Sequence, residues 1–208
     1  MYLPPAFKID DPAKIARFIA HNSFATVVTP GDGGLFASHL PLLHDAASNR
    51  LLGHLARANP QWRHFAGGGE VLAIFGGPHA YISPRWYETT PAVPTWNYGV
   101  VHVYGAPRVM TDEAELADVL QRTIRFYEGD GPEAWRGDLP AEFRQRMMKG
   151  IVGFAIAITR VEAKFKLGQN RSPADAAGML AALSRSPRAG DRELAEFMRQ
   201  EGWAAGAG

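Results

Sequence analysis

Residues 24–110 offer a succession of short apolar runs, each of strand length and each closed by turn residues. That order constrains the fold more than any other feature of the chain. A parallel dinucleotide fold alternates strands with helices, and that alternation is absent; no G-x-G-x-x-G follows a strand either. Residues 24–29 are rich in β-formers, and Pro30-Gly31-Asp32-Gly33-Gly34 is a turn. Residues 35–43 read as the returning strand. It is interrupted at Ser38-His39-Leu40-Pro41, where proline implies a strand end, an edge or a bulge. After a turn at 46–49 comes a strand at 51–56. Three strands with tight links predict an antiparallel meander.

Helices flank this β-rich stretch. Residues 1–9 read as extended because Pro4 and Pro5 block helix. Asp10 or Asp11 caps a helix with Pro12 in its first turn, and Ile15, Phe18 and Ile19 form its buried stripe. Asn59 caps a short helix that begins at Pro60, and residues 67–69, three glycines, end it. A strand at 71–75 continues through 80–83 past a Gly-Gly-Pro kink, and 96–110 alternate as a long strand. Residues 112–127 are the clearest helix, with Leu116, Val119, Leu120, Ile124 and Tyr127 as its buried face. A helix at 141–149 precedes a strand at 151–158 that runs on towards Val161. Ser172 then caps a helix with Pro173 first and Asp175 three residues after the cap, a variant of the capping box. The last helix starts at Asp191, and the small-residue tail 202–208 is expected to fray. The order predicts an α+β chain with a mainly β core: a closed or split barrel with peripheral helices.

The 208 residues are enough for one full core. A net charge of +1 draws the chain to no polyanion, and the absence of cysteine removes disulfides, thiolate metal sites and a cysteine nucleophile. The first residues lack the pattern of a signal peptide, and no apolar window is long enough to span a bilayer. The expected location is the cytoplasm, without membrane contact.

The richest stretch for ligand chemistry is 75–105. It holds Tyr81, Trp86, Tyr87, Trp96 and Tyr98 among His79, Asn97, His102 and four prolines. Flat rings with polar handles suit a flat ligand, or they pin a long connection. Arg57 follows a strand and precedes the helix start at Asn59. A guanidinium beside free helix N–H groups suits a phosphate, and the alternative is a surface arginine in a salt bridge. His39 and His54 occupy neighbouring strands, but the seven histidines show no metal-ligand spacing, and no metal site is assigned. Haem needs one axial histidine, for which His39, His54, His79 and His102 are available. Lys164, Lys166 and Arg171 form a basic cluster that reads as a solvated face or an anion contact. No P-loop, nucleophile elbow or helix–turn–helix is present, and no catalytic residue is assigned.

Several segments together resemble the PaiB-type family, described as FMN-binding negative transcriptional regulators. They are Met1-Tyr2 with Pro4 and Phe7; Ser38-His39-Leu40-Pro41; Gly53-His54-Leu55-Ala56-Arg57-Ala58-Asn59-Pro60; and Gly77-Pro78-His79-Ala80-Tyr81-Ile82-Ser83-Pro84 with Trp86-Tyr87. To these add Val93-Pro94-Thr95-Trp96-Asn97-Tyr98 and Phe165-Lys166-Leu167-Gly168-Gln169-Asn170, where the family usually has serine in place of Gly168. The resemblance covers residues 1–183, which makes 184–208 a C-terminal helical extension. It implies an FMN-binding split β-barrel, a homodimer with flavin at the subunit interface, and a regulatory role. A flavin-dependent oxidoreductase activity goes with such a cofactor; haem is the alternative ligand, and DNA is a partner that the residues do not themselves support. On this reading Arg57, Asn59 and Ser83 lie near the phosphate. Trp86, Trp96 and Tyr98 flank the ring, His39, His54 and Asn97 bond its polar edge, and Gln169 and Asn170 close the site from the other subunit.

Overall fold

The structure, a computed structural model, describes residues 1–31 and 33–203. Asp32 of the first turn and residues 204–208 of the expected frayed tail lie outside the described residues. The strands are β1 (Lys8–Ile9), β2 (Phe24–Gly31), β3 (Gly34–Pro41), β4 (Leu43–Asp45), β5 (Arg50–Ala56), β6 (Val71–Ile82), β7 (Thr95–Val109) and β8 (Ile151–Lys166). The helices are α1 (Pro12–His21), α2 (Glu113–Glu128), α3 (Ala141–Met148), α4 (Pro173–Ser184) and α5 (Ala189–Gln200). The strands form one sheet in the order β3-β2-β6-β7-β8-β5-β4, with β1 beside β8, and every registered pair is antiparallel. This is the expected α+β barrel. No helix among the described residues is long and apolar enough to cross a membrane.

The chain falls into two compact units. One comprises residues 19–75 and 102–161; the other comprises 1–18, 76–101 and the chain from Glu162 onward. The first holds the barrel. Burial alternates along β2, with Ala25, Val27 and Thr29 inside, and the same period places Val71, Ala73 and Phe75 of β6 inside. Phe65 and Phe154 meet in the core with ring centroids 5.0 Å apart. The barrel closes where β3 lies against β5. A Cβ on Gly53 would sit 2.6 Å from Leu42 Cδ2, 3.1 Å from Phe154 Cζ and 3.3 Å from the Pro41 carbonyl. Only a hydrogen fits there. On the outside of β5 and β8, α2 covers a second apolar layer of Leu43, Leu52, Met110, Val119 and Ala155.

The expected meander does not form. β2 and β3 pair in full register from Phe24↔Pro41 to Gly31↔Gly34, but β4 and β5 pair at the opposite end of the sheet. Short linkers do not dictate pairing when Leu42 must turn inward between β3 and β4. The Gly-Gly-Pro sequence does not break β6. β2 pairs with it only over Leu72–Ile74, so Pro78 removes no bond from that ladder. The α2 face is narrower than its periodicity implies: Leu116 and Val119 are buried, Leu120 and Ile124 half-buried, and Tyr127 exposed. At the N-terminus, Pro5–Phe7 forms a 3-10 turn rather than extended chain.

In the second unit the rings of Phe18, Phe165 and Phe197 form a cluster with centroids 4.9–5.6 Å apart, so α1, β8 and α5 share one core. Ser172 caps α4 through the Asp175 N–H, at 3.1 Å. The reciprocal half of the capping box is missing. The buried Asp175 carboxylate turns instead to the aromatic loop and accepts the N–H groups of Glu88 (2.8 Å) and Thr89 (3.0 Å). The Thr89 N–H is the main cause that holds its carboxyl below the usual carboxylate range.

Closure at Gly53 predicts that Gly53→Ala lowers stability by about 1–3 kcal/mol through overpacking. Urea denaturation followed by tryptophan fluorescence measures it, and an unchanged midpoint contradicts the packing described.

Candidate functional site

The eleven residues singled out from the sequence fall into two groups, one in each unit. In the barrel unit, Asn59 is occupied at both ends of its amide. Its Oδ1 accepts the Gln61 N–H (3.0 Å) at the start of a 3-10 helix over Pro60–Gly67, and its Nδ2 donates to Ser38 Oγ (2.8 Å). Arg57 is exposed and braces the turn after β5. Nε donates to the Lys149 carbonyl (2.8 Å) and Nη2 to the Ile151 carbonyl (2.9 Å), while its backbone N–H reaches the Gly150 carbonyl (2.8 Å). A cavity of ≈ 180 Å³ beside Arg57 is also lined by Asp112 and Glu113.

His39 and His54 have different surroundings. His39 Nδ1 lies 3.0 Å from Thr26 Oγ1, and its ring stacks on Phe24 with centroids 6.3 Å apart. Register and alternation put Phe24 and Val28 of β2, Leu35, Ala37 and His39 of β3, and Leu72 and Ile74 of β6 on one outer face. Phe24 is 67% and Leu35 81% exposed, so this face is apolar and open. His54 lies between the inward Gly53 and Leu55 and therefore points to the outside of β5, where it lines a larger cleft beside α2. Burial pulls its pKa down, so the imidazole is neutral at pH 7.

Gln61 was not singled out from the sequence. It is fully buried, and its Nε2 donates to the Val27 carbonyl (2.8 Å), Thr29 Oγ1 (3.2 Å) and the Phe36 carbonyl (3.3 Å). Its Oε1 has no hydrogen-bond partner among the described residues. Thr29 Oγ1 also meets His64 Nδ1 at 2.9 Å. Nothing local marks Gln61, because its partners come from two strands of the barrel.

In the second unit, Ser83 caps a 3-10 turn over Pro84–Trp86, accepting the Arg85 N–H at 3.3 Å. Trp86 is half-buried in that turn. Trp96 and Tyr98 project from one side of β7 and Asn97 from the other. Trp96, 53% exposed, gathers His79 and Tyr81 at centroid distances of 6.1 and 6.3 Å. Both were visible in the aromatic stretch but had no part in the assigned site. Asn97 is buried; its Nδ2 lies 3.1 Å from Met179 Sδ, and its Oδ1 has no hydrogen-bond partner among the described residues. Gln169 closes its own turn, accepting the Leu167 N–H (2.8 Å) and donating to the Phe165 carbonyl. Asn170 is exposed.

The basic cluster is not a solvated face. Lys164 is buried; its Nζ donates to the Tyr2 carbonyl (3.1 Å) and stands 5.3 and 5.4 Å from the Tyr2 and Tyr98 rings. Lys166 donates to Thr95 Oγ1 and to the Trp96 carbonyl (2.9 Å), and desolvation lowers its pKa. Arg171 lies over the Tyr87 ring at 4.2 Å. These cations hold the aromatic stretch in place.

The residues suit a flavin. Within the second unit the exposed rings of Trp96 and Tyr81 offer flat surface, and the orphaned Asn97 Oδ1 is an unspent acceptor. His39 and Arg57 are exposed polar groups.

Comparison with known proteins places this geometry. The family described as "Putative FMN-binding domain" matches residues 1–160. The chain is 39% identical over 205 residues to Protease synthase and sporulation protein PAI 2 of Bacillus subtilis (strain 168), covering 97% of this chain and 98% of the relative. Its fold is similar to that of the flavocytochrome Anf3 from Azotobacter vinelandii, with TM-score 0.64 and 14% identity over 78% of this chain and 70% of that one. It is also similar to the FAD and haem binding protein from Mycobacterium smegmatis, with TM-score 0.57 and 16% identity over 77% and 74%. The barrel, the family match over most of the chain and a relative aligned almost end to end lead to one conclusion: the chain belongs to the PaiB-type family of FMN-binding split-barrel proteins.

Proposed function

We propose that the protein is a cytoplasmic homodimer that holds FMN at the subunit interface and serves as a flavin-dependent member of the regulator type. The observation that carries this reading is the open outer face of β2, β3 and β6. Phe24, Val28, Leu35, Leu72 and Ile74 leave apolar surface uncovered around His39, one of the residues assigned to the flavin edge. A soluble chain rarely leaves such a patch without a partner. FMN, when bound, supplies the redox chemistry. The chain supplies orientation: Trp86, Trp96 and Tyr98 as flat contacts, His39 and Asn97 as hydrogen-bonding groups for the polar edge, and Arg57, Asn59 and Ser83 for the phosphate; His54, assigned to that edge from the sequence, faces the cleft beside α2 instead. Gln169 and Asn170 are assigned to the second subunit's side of the site.

Haem is a second reading. It is supported by the neutral imidazole of His54, whose lone pair is free to ligate, and by the haem named for the Mycobacterium smegmatis protein of similar fold. Direct DNA contact draws no support from Lys164, Lys166 and Arg171, which are engaged within the chain. The absorption spectrum separates flavin from haem without added ligand.

If the outer face is the subunit interface, Leu35→Asp produces monomers by analytical ultracentrifugation and weakens FMN at least about tenfold, a loss of roughly 1.4 kcal/mol. A folded dimer with unchanged FMN affinity contradicts the placement. Arg57→Ala tests the phosphate assignment. A lost charge-assisted hydrogen bond contributes roughly 1.5–3 kcal/mol, so FMN affinity falls about ten- to a hundredfold and riboflavin affinity does not. Equal loss of both ligands, with a lower melting temperature, leaves Arg57 as the brace of its turn alone.

A further inference from the structure

The barrel unit carries a cleft of ≈ 670 Å³ between α2 and α3, floored by β5 and β8. Its size is within the range of small-molecule sites, roughly 300–1,000 Å³. The walls are apolar: Leu120 and Ile124 from α2, Trp135 and Leu139 from the α2–α3 connection, Met147 from α3 and Ile151 from β8. Trp135 is 47% and Met147 48% exposed, so two large side chains stand open at the mouth. The half-burial of Leu120 and Ile124, which departs from the helical period, has its cause here.

Gly137 keeps the cleft open. Its φ is +78°, and a Cβ there would stand 2.9 Å from Ile124 Cδ1, so the connection lies on α2 without filling the space. The polar groups are few. His54 faces in from β5 with no hydrogen-bond partner among the described residues, and Gln121 Nε2 is turned to the Arg136 carbonyl at 3.3 Å. Of the two charges on the lining, Asp118 lies 3.9 Å from Arg122, which also reaches Asp45 at 3.2 Å. The Arg144 guanidinium has no partner among the described residues. Arg144 also borders the adjoining groove, whose lining includes Glu113 and Glu142, and it is the cation that the cleft offers to an anionic group. Rings and thioethers at the walls favour an aromatic body over a flexible chain.

We propose that this cleft binds a flat aromatic monocarboxylate of about two fused rings, with its body between Trp135, Ile124 and Met147 and its carboxylate at Arg144. The site is separate from the flavin. His54 joins the cleft to β5, and β5 runs on to Arg57, so occupancy and cofactor binding share a strand.

The probe is 2-naphthoate, titrated by calorimetry into protein with and without saturating FMN, beside its neutral analogue 2-naphthamide. One naphthoate binds per chain, and FMN does not compete. Arg144→Gln weakens naphthoate roughly fivefold, the upper end for an exposed ion pair, and leaves naphthamide unchanged. Ala117→Trp, at an exposed helix position on the lining, abolishes both with unchanged circular dichroism. No binding at millimolar probe overturns the proposal. So do displacement by FMN, equal weakening of both probes by Arg144→Gln, and retained binding in folded Ala117→Trp.

Discussion

The closing contact between β3 and β5 is the constraint on which the rest of the barrel depends. At that point Leu42 turns inward, the Pro41 carbonyl approaches Gly53, and no side chain fits between them. Once the sheet is closed, every strand has an inside and an outside, and period-2 alternation sorts its residues. The sorting is what decides which candidate residues reach the surface. It turns Val27, Phe75 and Phe154 into core, and it leaves Phe24, Leu35 and His39 exposed on an outer face. On the far strands the outside is covered by α2, which buries Leu52 under Val119 but leaves His54 at the floor of a cleft.

The second unit is held by charge in an apolar setting. A buried ion needs compensation, because desolvation otherwise drives it neutral. Lys164 meets that need with the Tyr2 carbonyl and two rings, and Asp175 with two backbone N–H groups of the aromatic loop. Both interactions fasten the segments that carry Trp86, Trp96 and Tyr98. The basic and acidic residues around the aromatic stretch are therefore supports, and the exposed rings of Trp96 and Tyr81 are what the supports present.

Local chemistry was legible in the sequence. The caps at Asp11, Asn59, Asp112 and Ser172 form as their residue types imply, and Pro41 does mark a strand end at an edge. Long-range pairing was not. Nothing near β4 says that it will join the end of the sheet opposite β3, and nothing near Asp175 says that its carboxylate will leave its own helix for Glu88 and Thr89. The burial of Lys164 was hidden for the same reason, since Tyr2 lies at the other end of the chain. Part of the candidate site was readable in more detail than the residue types alone give. Alternation along β7 already separates Asn97 from Trp96 and Tyr98, so one ligand surface does not take all three from the same side of the strand. The family resemblance carried the fold and the cofactor. It did not distinguish residues that shape turns, such as Ser83 and Gln169, from residues left open to a ligand.

The central claim is that FMN is held by two copies of this chain. Sedimentation equilibrium of the protein with sub-stoichiometric FMN, read in the flavin's visible absorption, tests it directly. The account predicts that all bound flavin sediments at twice the 22.7 kDa chain mass, saturating at one FMN per chain. Flavin that sediments at the mass of one chain, or that remains free at high micromolar protein, contradicts it.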